Sequence, residues 1–439
     1  MNSENRTTLT RGSVNGTFMD RMARSTVEKM LAQIEGGPIT VRDSGTERTY
    51  GTSTSGEPGV SVDVLHPRFY RRILTGGSLG AAEAYLAGDW TCDDLTAVIR
   101  ILIRNQNVAR EMDRGLARLT GLGARALHWM RRNSRSGSRR NIEAHYDLGN
   151  DFFRLFLDDT LLYSAGIFEN SDSTLEDASI AKMERICRRL DLRTTDHLLE
   201  IGTGWGGFAI HAARKYGCRI TTATISREQF DLARQRVKAA GLEQRVEVIL
   251  CDYRDLQGQY DKLVSIEMIE AVGHQFFDTF FRKCGTLLKP EGLMLLQAIV
   301  SNEQGYAEYL RSTDFIQRYI FPGGCLPSVL AMGQAIARTT NMRLLQIEDF
   351  APHYAQTLRC WRERFWGAID RVRELGFTER FIRMWHYYFC YCEAAFEERS
   401  VGVVQMLLAQ RGNRRDLQSH HVPVATSLPL SPASMRSTP

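Results

Sequence analysis

The run LLEIGTGWGGFA carries the residue spacing that most directly implies chemistry. A short apolar, β-rich stretch ends at Ile201, and Gly202, Gly204 and Gly207 follow as G-x-G-x-x-G before a helical pattern begins. Glycines at this spacing let the chain turn tightly and let a nucleotide-bearing ligand approach the backbone at the carboxyl end of a strand. A dinucleotide site would also place an acidic residue about 20 residues further on, to hold the ribose hydroxyls. That stretch reads RITTATISREQ, with Thr222 and no carboxylate at the strand end, which disfavours NAD. Further on, CDYRD sets Asp252 and Tyr253 behind a third strand, where they are placed to flank an adenine.

A second group lies in SIEMIEAVGH. Glu270 follows a strand directly, and although a carboxylate near a helix start often only caps it, this position favours an active-site role. Glu267 is expected to face elsewhere. His274 and His353 read as ordinary partly buried or surface histidines, since neither has the surroundings of a nucleophilic triad. The nine cysteines form no C-x-x-C pair and no metal-ligand cluster, so they read as reduced core thiols. The aromatic run WHYYFCY around Trp385 reads as core packing, and FPGG at Phe321 to Gly324 as a turn.

The elements around these residues define the fold class. HLLEIGTGW, RITTATIS, RVEVILCDY, YDKLVSIEM and LMLLQAIV are short apolar strands separated by helical stretches such as FAIHAARKYG and REQFDLARQRVKAAG. Strand and helix alternating at this spacing predict an α/β, doubly wound sheet. A helical stretch from about 306 to 384 interrupts it before VGVVQMLLAQ supplies a last strand. Ahead of it, glycine-bearing runs between about 37 and 72 suggest strands, and GSLGAAEAYLAGDW and DDLTAVIRILIRNQNVAREMDRGLARL read as helices. The expected layout is a disordered start (1–18), a smaller N-terminal α+β domain (19–130), an arginine-rich linker (131–140), a catalytic domain (141–411) and a disordered tail (412–439).

Composition fits this reading. Of 439 residues, 24% are charged and 43% belong to the hydrophobic set, ample for a core. No run approaches the roughly 18 apolar residues that span a bilayer, and the N-terminus lacks a signal-peptide pattern. A cytoplasmic protein is expected. A net charge of +5 is too small and dispersed to imply nucleic acid. Arg131, Arg132, Arg135, Arg139 and Arg140 are concentrated in the linker, and with the amphipathic stretch from Val108 to Leu119 they form a candidate docking surface for an anionic membrane.

The ordered blocks AEAYLAGDW, NIEAHYDLGNDFFRLFLDDTLLYS, LEIGTGWGG, TISREQ, YDKLVSIEMIEAVG, QRYIFPGGCLPS and HYAQTLRCW resemble the cyclopropane-fatty-acyl-phospholipid synthase family, which includes mycolic acid cyclopropane synthases, from about residue 60 to 410. The resemblance implies a Rossmann-like class I methyltransferase sheet and S-adenosylmethionine as cofactor. It surrounds that cofactor with Tyr163, Ser164, Gly202, Gly204, Thr224, Gln229 and Tyr253. A sulfonium suits such aromatic and oxygen-rich surroundings.

The same resemblance implies that an alkene in an unsaturated acyl lipid attacks the cofactor's methyl group, and that a bound bicarbonate then removes a proton so that a cyclopropane ring closes. Carried over by motif, the bicarbonate is held by the backbone at Ala165 and Ile266 and by Glu270, Gln297 and Tyr354. Two positions depart from the pattern. Ala165 replaces Cys, which leaves the backbone donor intact. Gln297 replaces His, and a glutamine donates a hydrogen bond but does not titrate near neutrality. Ring formation leads because it is the broader family's activity. A methylene or methyl branch is the alternative outcome, a non-catalytic lipid-binding homologue is another, and a homodimer is compatible with either.

Overall fold

A computed structural model describes residues 17–52, 59–113 and 148–414. The N-terminal start, most of the tail, the arginine linker and the stretch from 114 to Leu119 lie outside the described residues. The chain forms two compact units: Met1–Arg132, Gln304–Gly324 and Trp366–Val401 make one, and Asn133–Glu303, Cys325–Phe365 and Gly402–Pro439 make the other.

In the first unit, strand β1 (Ile39–Asp43) pairs antiparallel with β2 (Thr46–Tyr50) and parallel with β3 (Val60–Val64), which pairs antiparallel with β4 (Trp90–Cys92). Ser44 and Gly45 join β1 to β2 with φ of 49° and 81°, the positive values that a tight two-residue hairpin requires. The expected long helix after Asp94 is two, Leu95–Arg104 and Gln106–Met112. Asn105 divides them, accepting the Glu35 N–H at 2.7 Å and donating to the Ile101 carbonyl at 2.8 Å. Val108 and Met112, expected on a docking surface, are buried.

The division of the chain differs from the contiguous layout read from sequence. Helix Glu379–Glu397 packs against helices Leu95–Arg104 and Arg68–Leu86 in the first unit. Tyr85 shares a 2.8 Å hydrogen bond with His386, and Arg100 and Arg104 both reach Glu398. WHYYFCY is therefore core, as expected, but the core of the N-terminal unit. Helical periodicity reports which face of a helix is buried, not which distant partner buries it.

The second unit holds a seven-stranded sheet in the order β10-β11-β9-β8-β5-β6-β7. Strands β5 (His197–Ile201), β6 (Arg219–Thr224), β7 (Val246–Leu250), β8 (Tyr260–Ile266) and β9 (Leu288–Ser301) pair in parallel where they adjoin, and β10 (Arg343–Asp349) runs antiparallel to β11 (Val401–Ala409). β10 falls within the stretch expected to be helical. It is a mostly exposed edge strand and so lacks the in-out alternation that marks a strand in sequence. Apolar clusters cover the sheet, one around Phe280, Phe281 and Met332 and another around Ile186, Phe208 and Ala212. The order reverses between β5 and β8, and a doubly wound sheet binds its ligand at the carboxyl ends of strands where the order reverses. Gly202 follows β5 there, and Glu267 follows β8.

Candidate active site

The turn after β5 leaves its backbone open at Gly204. Gly202 and Gly204 take φ of 105° and 52°, in the region that favours glycine, and a side chain on Gly204 would meet nothing within 4 Å. Gly207 has a different task. A Cβ there would lie 2.4 Å from the Thr160 carbonyl oxygen, so this glycine lets helix Gly207–Tyr216 pack closely. Beneath the turn, Thr222 donates to buried Glu200 at 2.6 Å, and burial pushes the Glu200 carboxyl up to about 8. At the end of β6, Thr224 donates to Gln229 at 2.9 Å, and both are buried. Tyr253 follows β7 with its ring edge-on to Phe280 and under the Arg254 guanidinium, while Asp252 is paired with Arg254.

Tyr163 forms part of an aromatic wall, its ring centroid 5.2 Å from that of Trp361 and 5.5 Å from that of Phe153. The loop beyond it is pinned along its length. Gly166 N–H donates to Thr357 at 3.0 Å, Ile167 N–H to the Ala178 carbonyl at 2.9 Å, and Phe168 N–H to His353 Nδ1 at 3.1 Å. His353 thus holds backbone, in keeping with its unremarkable sequence setting. Helix Ala351–Gly367 supplies His353, Tyr354, Thr357 and Trp361 together.

Three donors converge on one carboxylate, and it belongs to Glu267. Ala165 N–H and Gln297 Nε2 donate to its Oε1 at 2.9 Å and 2.7 Å, and the Tyr354 hydroxyl donates to Oε2 at 2.6 Å. The expectation that Glu267 faces elsewhere is therefore corrected. Its φ of 48° places it in the left-handed region just past β8, which redirects the side chain relative to a continuing strand. Glu270, expected to hold a bicarbonate together with Ala165, Gln297 and Tyr354, is turned to β9. Its Oε1 accepts the Ile299 N–H at 2.5 Å, and its Oε2 is buried without a hydrogen-bond partner among the described residues. Ile266 closes β8 in register with Gln297.

The electrostatics separate the two carboxyls. Burial, reinforced by the charge of Glu267, pushes Glu270 up to about 8, so it holds its proton at neutrality. Burial also raises Glu267, but the hydrogen bonds from Tyr354, Gln297 and Ala165 and the charge of Lys182 oppose that rise. Lys182 lies buried on helix Leu175–Arg189 and donates to Ser164 Oγ at 2.6 Å. Burial pushes its ammonium down to about 8, against the pull of Glu267, Asp158 and Glu200. Sequence reading missed Lys182. A signal was present, since it shares the helical stripe of Leu175, Ala178 and Ile186.

The sequence profile described as Mycolic acid cyclopropane synthetase matches residues 133–406, more than half of the chain. The chain belongs to this family. It is 41% identical over 360 residues to tuberculostearic acid methyltransferase UfaA1 of Mycobacterium tuberculosis, covering 78% of this chain and 81% of that one. It is 36% identical over 366 residues to cyclopropane-fatty-acyl-phospholipid synthase of Escherichia coli, covering 82% and 90%. Among solved structures, cyclopropane synthase MmaA2 of M. tuberculosis superposes with a TM-score of 0.58 at 31% identity, over 62% of this chain and 98% of that one. The family is one of S-adenosylmethionine-dependent enzymes acting on fatty acyl chains, and the open glycine turn and the aromatic wall fit that cofactor.

Proposed function

We propose that this protein transfers a one-carbon unit from S-adenosylmethionine to the double bond of an unsaturated fatty acyl chain on a phospholipid, forming a cyclopropane fatty acid. The observation that carries the reading is a hydrogen-bonded carboxylate beside a nucleotide-type glycine turn. A Cβ on Gly202 would touch the side chain of Met268, the neighbour of Glu267, at 3.3 Å.

Gly202 and Gly204 would hold the cofactor's backbone-facing side, Thr224, Gln229 and Tyr253 its nucleoside, and Tyr163 and Ser164 the end that reacts. When bound, the cofactor supplies an electrophilic methyl group. The protein's own residues do the rest by positioning, because an isolated alkene is a feeble nucleophile and gains most from orientation. Trp361, Tyr163 and Phe153 form an apolar wall that keeps water from a cationic acyl chain. A carboxylate held by three donors is a fixed proton acceptor, which ring closure needs. The donor set fits a carboxylate supplied by the chain better than an added bicarbonate, since each of the three donors already has Glu267 as its acceptor.

A phospholipid substrate makes the membrane surface the place of work, with the protein attached peripherally. Among the described residues no helix is long and apolar enough to cross a membrane. Helix Phe18–Leu31 turns Phe18, Met19 and Met22 to solvent, an apolar edge that supports contact with lipid. The deciding experiment incubates the protein with methyl-labelled S-adenosylmethionine and vesicles of monounsaturated phospholipid, then analyses the released fatty acids by mass spectrometry and NMR. Label in a cyclopropane ring supports the proposal. Label in a methylene or methyl branch replaces the product, and no label in any acyl chain removes the reading.

A further inference from the structure

The donor set around Glu267 can be examined one hydrogen at a time. The Ala165 amide has one proton to donate and the Tyr354 hydroxyl has one, and both go to Glu267. The orientation of the Gln297 amide is set from a distance. Arg189 Nη1 donates to Gln405 Oε1 at 3.1 Å, Gln405 Nε2 donates to Gln297 Oε1 at 3.0 Å, and Gln297 Nε2 donates to Glu267 Oε1 at 2.7 Å. A guanidinium only donates, so the direction of the first bond fixes both amides that follow. Gln297 therefore presents N–H, not oxygen, to the carboxylate at every pH.

An acceptor-only partner is what such a set selects. Among the described residues three donors and no acceptor hydrogen-bond to the Glu267 carboxylate, and these bonds favour its ionised form against the rise that burial causes. An added bicarbonate would find the single protons of Ala165 N–H and Tyr354 O–H engaged, one Gln297 N–H engaged as well, and a negative charge beside it. The backbone at Glu267 points the same way, because φ of 48° is a conformation that costs a non-glycine residue free energy and persists where the surroundings enforce it. The Glu267 N–H, donating to the Gln297 carbonyl at 2.8 Å, is part of that enforcement.

We propose that Glu267 is the general base of this enzyme, a carboxylate built into the chain at the place where an external bicarbonate would otherwise be required. The inference rests on the one-carbon transfer proposed above and assigns its proton acceptor. In the balanced step, the alkene π pair forms a bond to the methyl carbon as the methyl–sulfur bond breaks and its electron pair stays on sulfur. The electron pair of one C–H bond of the transferred methyl then forms the second ring bond, and that proton passes to Glu267. Oε1 already accepts two hydrogen bonds and Oε2 one, so Oε2 has the free lone pair that takes it. Exchange with solvent after product release restores the carboxylate.

The test compares the full-length protein with Glu267→Gly and Glu267→Gln. Glycine tolerates the left-handed φ and opens the anion site; glutamine keeps the volume and removes the base. Binding is read first, by ¹³C NMR of labelled bicarbonate in the presence of S-adenosylhomocysteine. The wild type should bind none, and Glu267→Gly should bind it. Turnover is read next, in carbon-dioxide-depleted buffer. The wild type should keep its rate within twofold, Glu267→Gln should lose about 100-fold or more, and Glu267→Gly should regain part of its loss when bicarbonate or formate is added. Bicarbonate bound by the wild type, a tenfold fall in its rate on depletion, or full turnover by Glu267→Gln would each overturn the proposal. If no lipid is labelled under any condition the functional reading fails, and the binding comparison still decides whether the anion site is filled by Glu267.

Discussion

Gln297 grips Glu267 at two points: its carbonyl accepts the Glu267 N–H at 2.8 Å, and its side-chain amide donates to the Glu267 carboxylate at 2.7 Å. The two strands are thereby tied just where β8 ends, and the side chain of Glu267 is aimed by the same residue that holds its backbone. Removing only the side-chain half of the grip is informative. Gln297→Leu should leave Gln405 and Glu267 each short of a buried partner and cost about 1–3 kcal/mol of stability. Gln405→Leu should weaken the same chain of bonds, so the double variant should lose less than the sum of the two. Chemical denaturation of all four proteins measures this, and strict additivity would show that the chain does not act as a unit.

Tyr354→Phe deletes one hydroxyl and keeps a ring that packs edge-on to Trp361. The expected result is unchanged affinity for S-adenosylhomocysteine with turnover reduced by about 10-fold or more, as for loss of a donor that positions an acid–base group. Isothermal titration and labelled-product assays read the two effects separately. A parallel loss of binding would mean that Tyr354 shapes the cofactor site instead.

The sheet, the glycine turn and the strand-end positions of the chemistry were legible because each is local: apolar runs of five to seven residues, glycines at fixed spacing, a carboxylate just past a strand. The choice between Glu267 and Glu270 was not. Three residues separate them, and the outcome depends on a positive φ at Glu267 and on donors from Ala165, Gln297 and Tyr354, far apart in sequence. Gln297 looked like a weakened histidine until Gln405 and Arg189 were seen to orient it. The allocation of helix Glu379–Glu397 to the N-terminal unit escaped sequence for the same reason, since long-range pairing leaves no mark on local periodicity.

The glycines of the turn should separate in experiment as they do in structure. Gly207→Ala forces a methyl group to 2.4 Å from the Thr160 carbonyl, a backbone atom with little freedom to move, and should destabilise the protein by about 1–3 kcal/mol. Gly204→Ala meets no atom within 4 Å and carries only the strain of φ at 52°, roughly 1 kcal/mol. Its larger effect should be on cofactor affinity, because the methyl group enters the open space over the turn. Thermal melts with and without S-adenosylhomocysteine distinguish the two, and a Gly204→Ala protein with undiminished ligand stabilisation would remove that glycine from the cofactor site.

Glu270 makes a prediction about pH and stability. Its pKa is raised from 4.5 to about 8 by burial, so the folded protein binds this proton more tightly than the unfolded chain does. The stability associated with the group is fully present below pH 4.5 and declines as pH rises toward about 8, by up to roughly 1.4 kcal/mol per unit. Glu270→Gln cannot ionise and should escape that decline. The wild-type minus variant stability should therefore fall steadily between pH 5 and pH 8 in urea titrations. Glu200, raised to about 8 as well, contributes to both proteins and cancels in the difference. Parallel curves would mean that Glu270 is solvated in solution and not held neutral.

Lys182 offers the sharpest test of how the rise of the Glu267 carboxyl on burial is opposed. Burial raises the Glu267 carboxyl, and the Lys182 charge is among the influences that bring it back down. Lys182→Met keeps much of the length and apolar stem of the side chain while removing the charge. The carboxyl of Glu267 should then rise further, with Tyr354, Gln297 and Ala165 still donating to it. A base with a higher pKa is lost to protonation at a higher pH, so the acid limb of the kcat/KM profile should move upward in the variant. Its plateau should be lower as well, because Ser164 loses the donor that fixes its hydroxyl. An acid limb that stays in place while the plateau falls would assign Lys182 to the support of Ser164 alone, and would leave the three hydrogen bonds to oppose the effect of burial on Glu267.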